Sequence, residues 1–284
     1  MTARASRLPL TLRAYPTLLR IGVLEAVAYR AELFVWMLTM TMPLVSLVLW
    51  SSAAAGTRLG REQLSGTDLS AYFLLTLLVR MLTSSWVLWQ LTDEIRTGAL
   101  AQRLLKPVSP FAVYTAEQLA ALPLRAALAL PLIGVLLAFS LRAQLSHEPL
   151  LWLAAALSLP AAWALNFLSM AIIGMLAFYI ESALGLFYAW LGLFTLFSGY
   201  LVPLSLMPKW LLGVAAVLPF RYQLDVPVRI LLGWPVAGGA RDTAEGLALA
   251  YQHLGAQYLY ALALGGAAAL LWRAGLRRFA AFGS

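Results

Sequence analysis

Residues 149–180 read PLLWLAAALSLPAAWALNFLSMAIIGMLAFYI, an unbroken stretch with no charged side chain. A helix crosses the hydrocarbon core of a bilayer with about 20 mostly apolar residues. This stretch is longer than one straight crossing needs. At about 1.5 Å per residue it reaches roughly 45 Å, against a core of about 30 Å. Either Pro160 bends it, because a proline ring clashes with the preceding turn, or the helix is tilted and starts outside the core.

Working outward from it, five more stretches have spanning length and composition. They lie at about 31–51, 69–91, 112–140, 183–206 and 250–272. Only a short break around Glu181 and Ser182 separates the fourth span from the fifth, so these two are expected to be antiparallel neighbours. The composition agrees. Hydrophobic residues make up 62% of the 284 and charged residues only 11%, where a soluble domain carries about 25% charged. A cytosolic enzyme, a disordered chain and a secreted disulfide scaffold are excluded. The fold class is therefore an all-α integral membrane protein with six transmembrane helices, in contact with membrane lipid. There is no cysteine, hence no disulfide, thiolate metal site or cysteine nucleophile.

The net charge of +8 would suggest nucleic acid in a soluble protein. Here it fits basic residues at the cytoplasmic membrane surface, and no nucleic-acid partner is expected. Residues 1–30 carry Arg4, Arg7, Arg13, Arg20 and Arg30 among leucines and do not read as a signal peptide. With the N-terminus inside, the inner segments hold eleven Lys and Arg and the outer ones seven, four of them in one long loop. Long loops count less, so both termini are expected in the cytoplasm. Residues 8–30 read as an interfacial helix, with Arg13 and Arg20 on one side and Leu12, Leu18, Leu19, Val23 and Val27 toward lipid. The expected organisation is an N-terminal interfacial segment (1–30), a transmembrane domain (31–272) and a basic cytoplasmic tail (273–284).

Two connecting segments carry more information than a turn needs. After span two comes TDEIRTGALAQRLLKPVSP, residues 92–110. Asp93 and Glu94 suit a helix start. Ile95, Leu100, Leu104 and Leu105 are expected to share an apolar side, and Pro107 and Pro110 stop the helix. A short amphipathic helix at about 93–107 would dock a soluble partner. After span five, the apolar piece Trp210–Leu218 is too short to span and is bounded by Pro208 and Pro219. It fits either a re-entrant outer segment at about 207–222 or an ordinary anchored loop, with Arg221, Asp225 and Arg229 following in polar surroundings.

These segments resemble the membrane subunits of type-2 ABC exporters, the ABC-2 permease family, in its bacterial six-span branch. The first motif is Gly98-Ala99-Leu100-Ala101-Gln102-Arg103-Leu104-Leu105-Lys106-Pro107-Val108-Ser109. The second is Phe197, Ser198, Gly199, Pro203, Leu204, Pro208 and Trp210, followed by Leu218-Pro219-Phe220 and Pro227-Val228-Arg229-Ile230-Leu231-Leu232-Gly233. The resemblance implies half of a dimeric pore, with a second permease subunit, like or unlike, and cytosolic ABC ATPase subunits beneath. It implies a bacterial inner-membrane location. It makes Ile95, Gly98, Leu100, Leu104, Leu105 and Lys106 the ATPase-coupling residues, and Ser198, Gly199, Pro203, Pro208 and Trp210 an outer gate.

Charges within the spans are the remaining candidates. Arg80 sits mid-span, where a charge costs about 2.5–3.5 kcal/mol on insertion scales. It either meets an anionic substrate headgroup or is held by a carboxylate or backbone carbonyls. Glu117 and Arg125 lie two turns apart and do not pair directly; Glu117 reaches cytoplasmic water, and Arg125 snorkels or meets another helix. Gly185 and Ala189, with Gly192 further along, give span five a small-residue face for a dimer contact, and Gly174 invites close helix contact. The chain has no G-x-x-x-x-G-K-[ST] phosphate loop, so ATP and Mg belong to a partner ATPase and this chain binds no cofactor. His147 and His253 read as loop histidines without a metal or catalytic constellation. The function expected is a permease subunit of an ATP-driven exporter for an amphipathic or lipid-like substrate. The alternative is a secondary transporter, for which the sequence offers few coupling-ion groups.

Overall fold

The computed structural model describes residues 10–28, 35, 41–60, 62–138, 141–180, 183–236 and 240–282. The described residues are helical and contain no strand beyond one isolated bridge, Leu59 to Leu64. We number the helices α1 (Leu10–Ala28), α2 (Met42–Ala53), α3 (Gly66–Thr83), α4 (Val87–Thr97), α5 (Leu100–Leu104), α6 (Pro110–Ala120) and α7 (Leu122–Ala138). They continue with α8 (Pro149–Met175), α9 (Ala183–Phe197), α10 (Lys209–Val217), α11 (Phe220–Gln223), α12 (Asp225–Leu231) and α13 (Ala244–Phe282).

The charge-free stretch forms the axis of the molecule. It is continuous as α8 through Pro160 and ends in a 3-10 turn, Leu176–Phe178. Helices α3, α4, α9, α11, α12 and α13 all pack on it. Two apolar cores follow along its length. One gathers Phe73, Leu151, Leu165, Phe194, Phe220, Val226, Ile230 and Leu254. The other gathers Leu88, Leu91, Leu100, Tyr114, Phe167, Met170 and Phe178. Gly174 lies against the backbone of Leu88, which brings α8 and α4 close.

Three helical stretches are long and apolar enough to cross a membrane: Gly66–Thr97, Pro149–Phe178 and Ala244–Phe279. Met42–Ala53 and Gly185–Phe197 are shorter apolar helices. Several expected boundaries move. The second stretch is interrupted at Ser84–Trp86, and the third divides at Ala121 into α6 and α7. Helix α9 stops at Phe197 rather than 206, because Gly199 turns the chain with φ 82°. Helix α13 begins before 250 and runs through the expected basic tail to Phe282. The expected first span is described only at Val35 and from Thr41 onward, and the Glu181–Ser182 turn lies outside the described residues.

The N-terminal segment is a helix, as its pattern suggests, and α1 packs lengthwise on α6. Ile21, Leu24 and Val27 stay exposed. The α4–α5 connection and the last turns of α13 meet at Phe178 and Phe279, at the same end of the bundle as α1. Arg13, Arg20, Arg96, Lys106, Arg273, Arg277 and Arg278 gather there. The start of α13, the entry to α8 and helices α10–α12 occupy the other end.

Candidate functional site

The α4–α5 connection is an elbow. Gly98 ends α4 in the left-handed region at φ 78°, a conformation in which a side chain is strained. The chain then re-enters helix at Leu100 for a short turn. Arg103 of α5 fastens it. Its guanidinium lies 2.8 Å from Glu94 Oε1 on α4 and 3.2 Å from Glu117 Oε1 on α6. Gln90 donates to Glu117 Oε2 at 2.8 Å, and the Tyr114 hydroxyl donates to Glu94 Oε2 at 2.6 Å. The same guanidinium stands 4.9 Å from the Tyr114 ring centroid. Burial alone would lower the Arg103 pKa, but Glu117 and then Glu94 outweigh it and hold it above the ordinary value. A groove of about 410 Å³ between α1, the elbow and α6 is lined by Leu18, Ile21, Glu25, Glu94, Arg103 and Glu117, among others.

The far end is a cap. Ser65 caps α3 reciprocally with Asp68, whose carboxylate accepts from Ser65 N–H at 2.9 Å. Arg241 pairs with Asp68 and donates to the Gln144 carbonyl at 2.8 Å. Arg229 of α12 pairs with Glu62 at 2.7 Å and donates to the Pro235 carbonyl at 3.0 Å. Burial lifts the Glu62 carboxyl above its ordinary pKa even with Arg229 beside it. Tyr72 donates to the Gly199 carbonyl and to Asp225 Oδ1, at 3.1 and 3.2 Å. A Cβ on Gly199 would collide with that hydroxyl. Deeper in, Gln257 of α13 donates to the Tyr222 and Ser158 carbonyls, and Gln223 donates to Ser169 Oγ.

Between the two ends lie two buried arginines. Arg80 donates to Asn166 Oδ1 at 3.3 Å and sits 4.6 Å over the Phe194 ring. Arg125 donates to the Ser84 carbonyl at 2.6 Å.

A family model described as ABC-2 family transporter protein matches residues 26–283. The chain belongs to the ABC-2 transporter family. It is therefore a permease component of an ABC transporter, a multi-pass membrane protein of a family that works with an ABC ATPase. No curated protein and no solved structure matches this permease.

The permease places the motif residues unevenly. The residues expected to couple to an ATPase do not share one side. Ile95 and Leu100 point into the core, at 8% and 0% exposure, whereas Leu105 is 86% exposed beside exposed Leu104 and Lys106. The turn at Gly98 separates the two sets. Asp93 and Glu94 do not start a helix; α4 begins at Val87, and both lie near its end. Glu117 is tied to Arg103 and Gln90 rather than standing free in water. Arg125 meets a backbone carbonyl, and Arg80 meets an amide and an aromatic ring.

The residues expected to form an outer gate divide too. Ser198, Gly199 and Pro203 are buried, while Pro208 and Trp210 are exposed, Trp210 at 71%. The piece that enters the bundle is not Trp210–Leu218, of which α10 buries only Ala215. It is Phe220–Leu231, where Gln223 and Asp225 are almost wholly buried. Arg221, Asp225 and Arg229 are thus packed groups, not loop charges. His253 stacks on Trp234 rather than sitting in a loop. Among the described residues nothing lies within 4 Å of a Cβ placed on Gly185 or Gly192, and both glycines are exposed.

Proposed function

We propose that this permease forms half of a dimeric export path for an amphipathic or lipid-like molecule, driven by separate ATPase subunits that dock on the α4–α5 elbow. The observation that carries this reading is the exposure of Leu104, Leu105 and Lys106 on an elbow that Arg103 ties to two further helices. Exposed leucines beside a lysine make a small docking surface. A push there passes through Arg103 to Glu94 on α4 and to Glu117 on α6. From α4 it passes to α8 across the Leu88–Gly174 contact. The permease contributes no bond chemistry; it supplies a lever and a path, and ATP and Mg stay on the ATPase. The second permease subunit is either a like or an unlike chain. The basic residues at the elbow end support a cytoplasmic, inner-membrane placement of that end and of both termini.

The test is affinity purification in mild detergent, with mass spectrometry and an ATPase assay. The native chain is expected to bring down an ATPase with a nucleotide phosphate loop. Leu104→Asp with Leu105→Asp is expected to lose it while keeping its native elution volume. Absence of any ATPase from the native chain, with transport that survives ATP depletion, would overturn the proposal in favour of a secondary transporter.

A further inference from the structure

The break between α3 and α4 contains neither proline nor glycine; it reads Ser84-Ser85-Trp86. Side chains from α6 and α7 take two of the backbone groups it frees. Arg125 takes the Ser84 carbonyl at 2.6 Å, and Gln118 Oε1 accepts from the Trp86 N–H at 3.4 Å. One turn before the break stands Arg80. The two arginines are 7% and 4% exposed. Among the described residues neither forms an ion pair, although every ion pair found involves another arginine. Both converge on Ser84, whose carbonyl accepts from Arg125 and whose N–H donates to the Arg80 carbonyl at 3.0 Å. Buried charges are normally paired, so this site holds uncompensated positive charge.

Among the described residues, three more polar groups at the same place find no hydrogen-bond partner: Ser84 Oγ, Ser85 Oγ and Asn166 Nδ2. All are buried and all can donate. Helix α4, eleven residues long, also starts here. Its positive dipole end adds to the field, as half-helix ends do at the substrate sites of broken membrane helices.

We propose that this break is an oxyanion site, in which Arg80 and Arg125, with the Ser84 and Ser85 hydroxyls and the Asn166 amide, receive the carboxylate or phosphate headgroup of an amphipathic molecule. The Phe194 ring, stacked on Trp190 at 5.1 Å, supplies apolar surface beside the charge. The site deepens the export reading by naming the charge of the cargo, but its binding is measured without an ATPase. Loss of ATPase coupling and loss of anion binding are therefore separate results.

The experiment titrates the full-length permease in uncharged detergent with dodecyl phosphate, dodecyltrimethylammonium and inorganic phosphate. Tryptophan fluorescence and thermal midpoint are followed. Saturable binding of dodecyl phosphate is expected, weakened about tenfold or more in Arg80→Gln and in Arg125→Gln, and unchanged in Arg58→Gln on the exposed surface. Competition by inorganic phosphate would show that a free oxyanion suffices, and its failure that a tail is needed; both uphold the site. If the arginine variants do not fold, Ser84→Ala with Ser85→Ala carries the test, since it removes only unpartnered hydroxyls and is expected to weaken binding without lowering the midpoint. Equal affinity for the cationic amphiphile, or unchanged affinity for dodecyl phosphate in the folded variants, would overturn the proposal.

Discussion

At the elbow, Arg103 keeps 22% exposure between Glu94 at 11% and Glu117 at 25%; at the cap, Arg229 and Glu62 keep 14% and 13%. Water reaches the Arg103–Glu117 arm more freely than the cap pair. Ion pairs that water can reach contribute little and are remade easily. A buried pair leaves a costly orphan when one partner is removed. The elbow therefore has contacts suited to movement, and the cap has contacts suited to holding a shape. The buried middle, with Arg80 and Arg125, follows neither pattern.

The largest effect expected from breaking this comparison is at the cap. Arg229→Met leaves Glu62 without its cation and is expected to cost about 3–5 kcal/mol. The thermal midpoint in detergent reads it, and Glu62→Gln in the same chain should recover part of the loss. A native midpoint in the single variant would show that the cap is not sealed. Leu100→Ala, at a position with no exposure, comes next. It removes the apolar anchor of the elbow at about 2–4 kcal/mol, and a loss below about 1 kcal/mol would mean the elbow is loosely seated.

Gly199→Ala forces a side chain into a left-handed turn against Tyr72 and is expected to cost about 1–3 kcal/mol. Combined with Tyr72→Phe it should cost less than the two single changes together, because both disturb the same hydroxyl. Strict additivity would place the strain elsewhere. Arg103→Met is expected to cost only about 1 kcal/mol yet to reduce ATPase stimulation by the assembled complex. Full stimulation would remove Arg103 from the lever. The smallest stability effect is at Leu105→Ala, within about 0.5 kcal/mol of native, with weakened ATPase capture. Here the comparison is sharpest if stability and capture separate.

Much of the frame was legible before any coordinates. The charge-free 149–180 stretch gave α8, and the basic residues read as one side of the membrane gather at one end of the bundle. Gly98 was placed inside an expected helix at about 93–107, which it in fact interrupts. The periodicity of Ile95, Leu100, Leu104 and Leu105 suggests one apolar side only if the helix is continuous, and the Gly98 turn divides it. Missed was the burial of the stretch beyond 222, as far as Leu231, because Arg221, Asp225 and Arg229 read as polar surroundings. A signal was present: Phe220, Leu224, Val228 and Leu231 recur at helical spacing. Ser65-Gly66-Thr67-Asp68 likewise marks the start of α3 as a capping box.

The sequence by itself determined that the chain is helical and lives in a membrane, and its motifs resemble a family that works with a separate ATPase. The first two properties follow from sums and spacings over neighbouring residues, which hydropathy and backbone preference report directly. Only the tertiary structure decided where span two breaks and which charges are buried. Ser84 gives up its helical bond because Arg125, 41 positions away, takes its carbonyl. Arg229 stays charged inside the cap because Glu62, 167 positions away, lies beside it. A helix end or a buried charge is stable only with its partner in place, and the partners here come from distant parts of the chain.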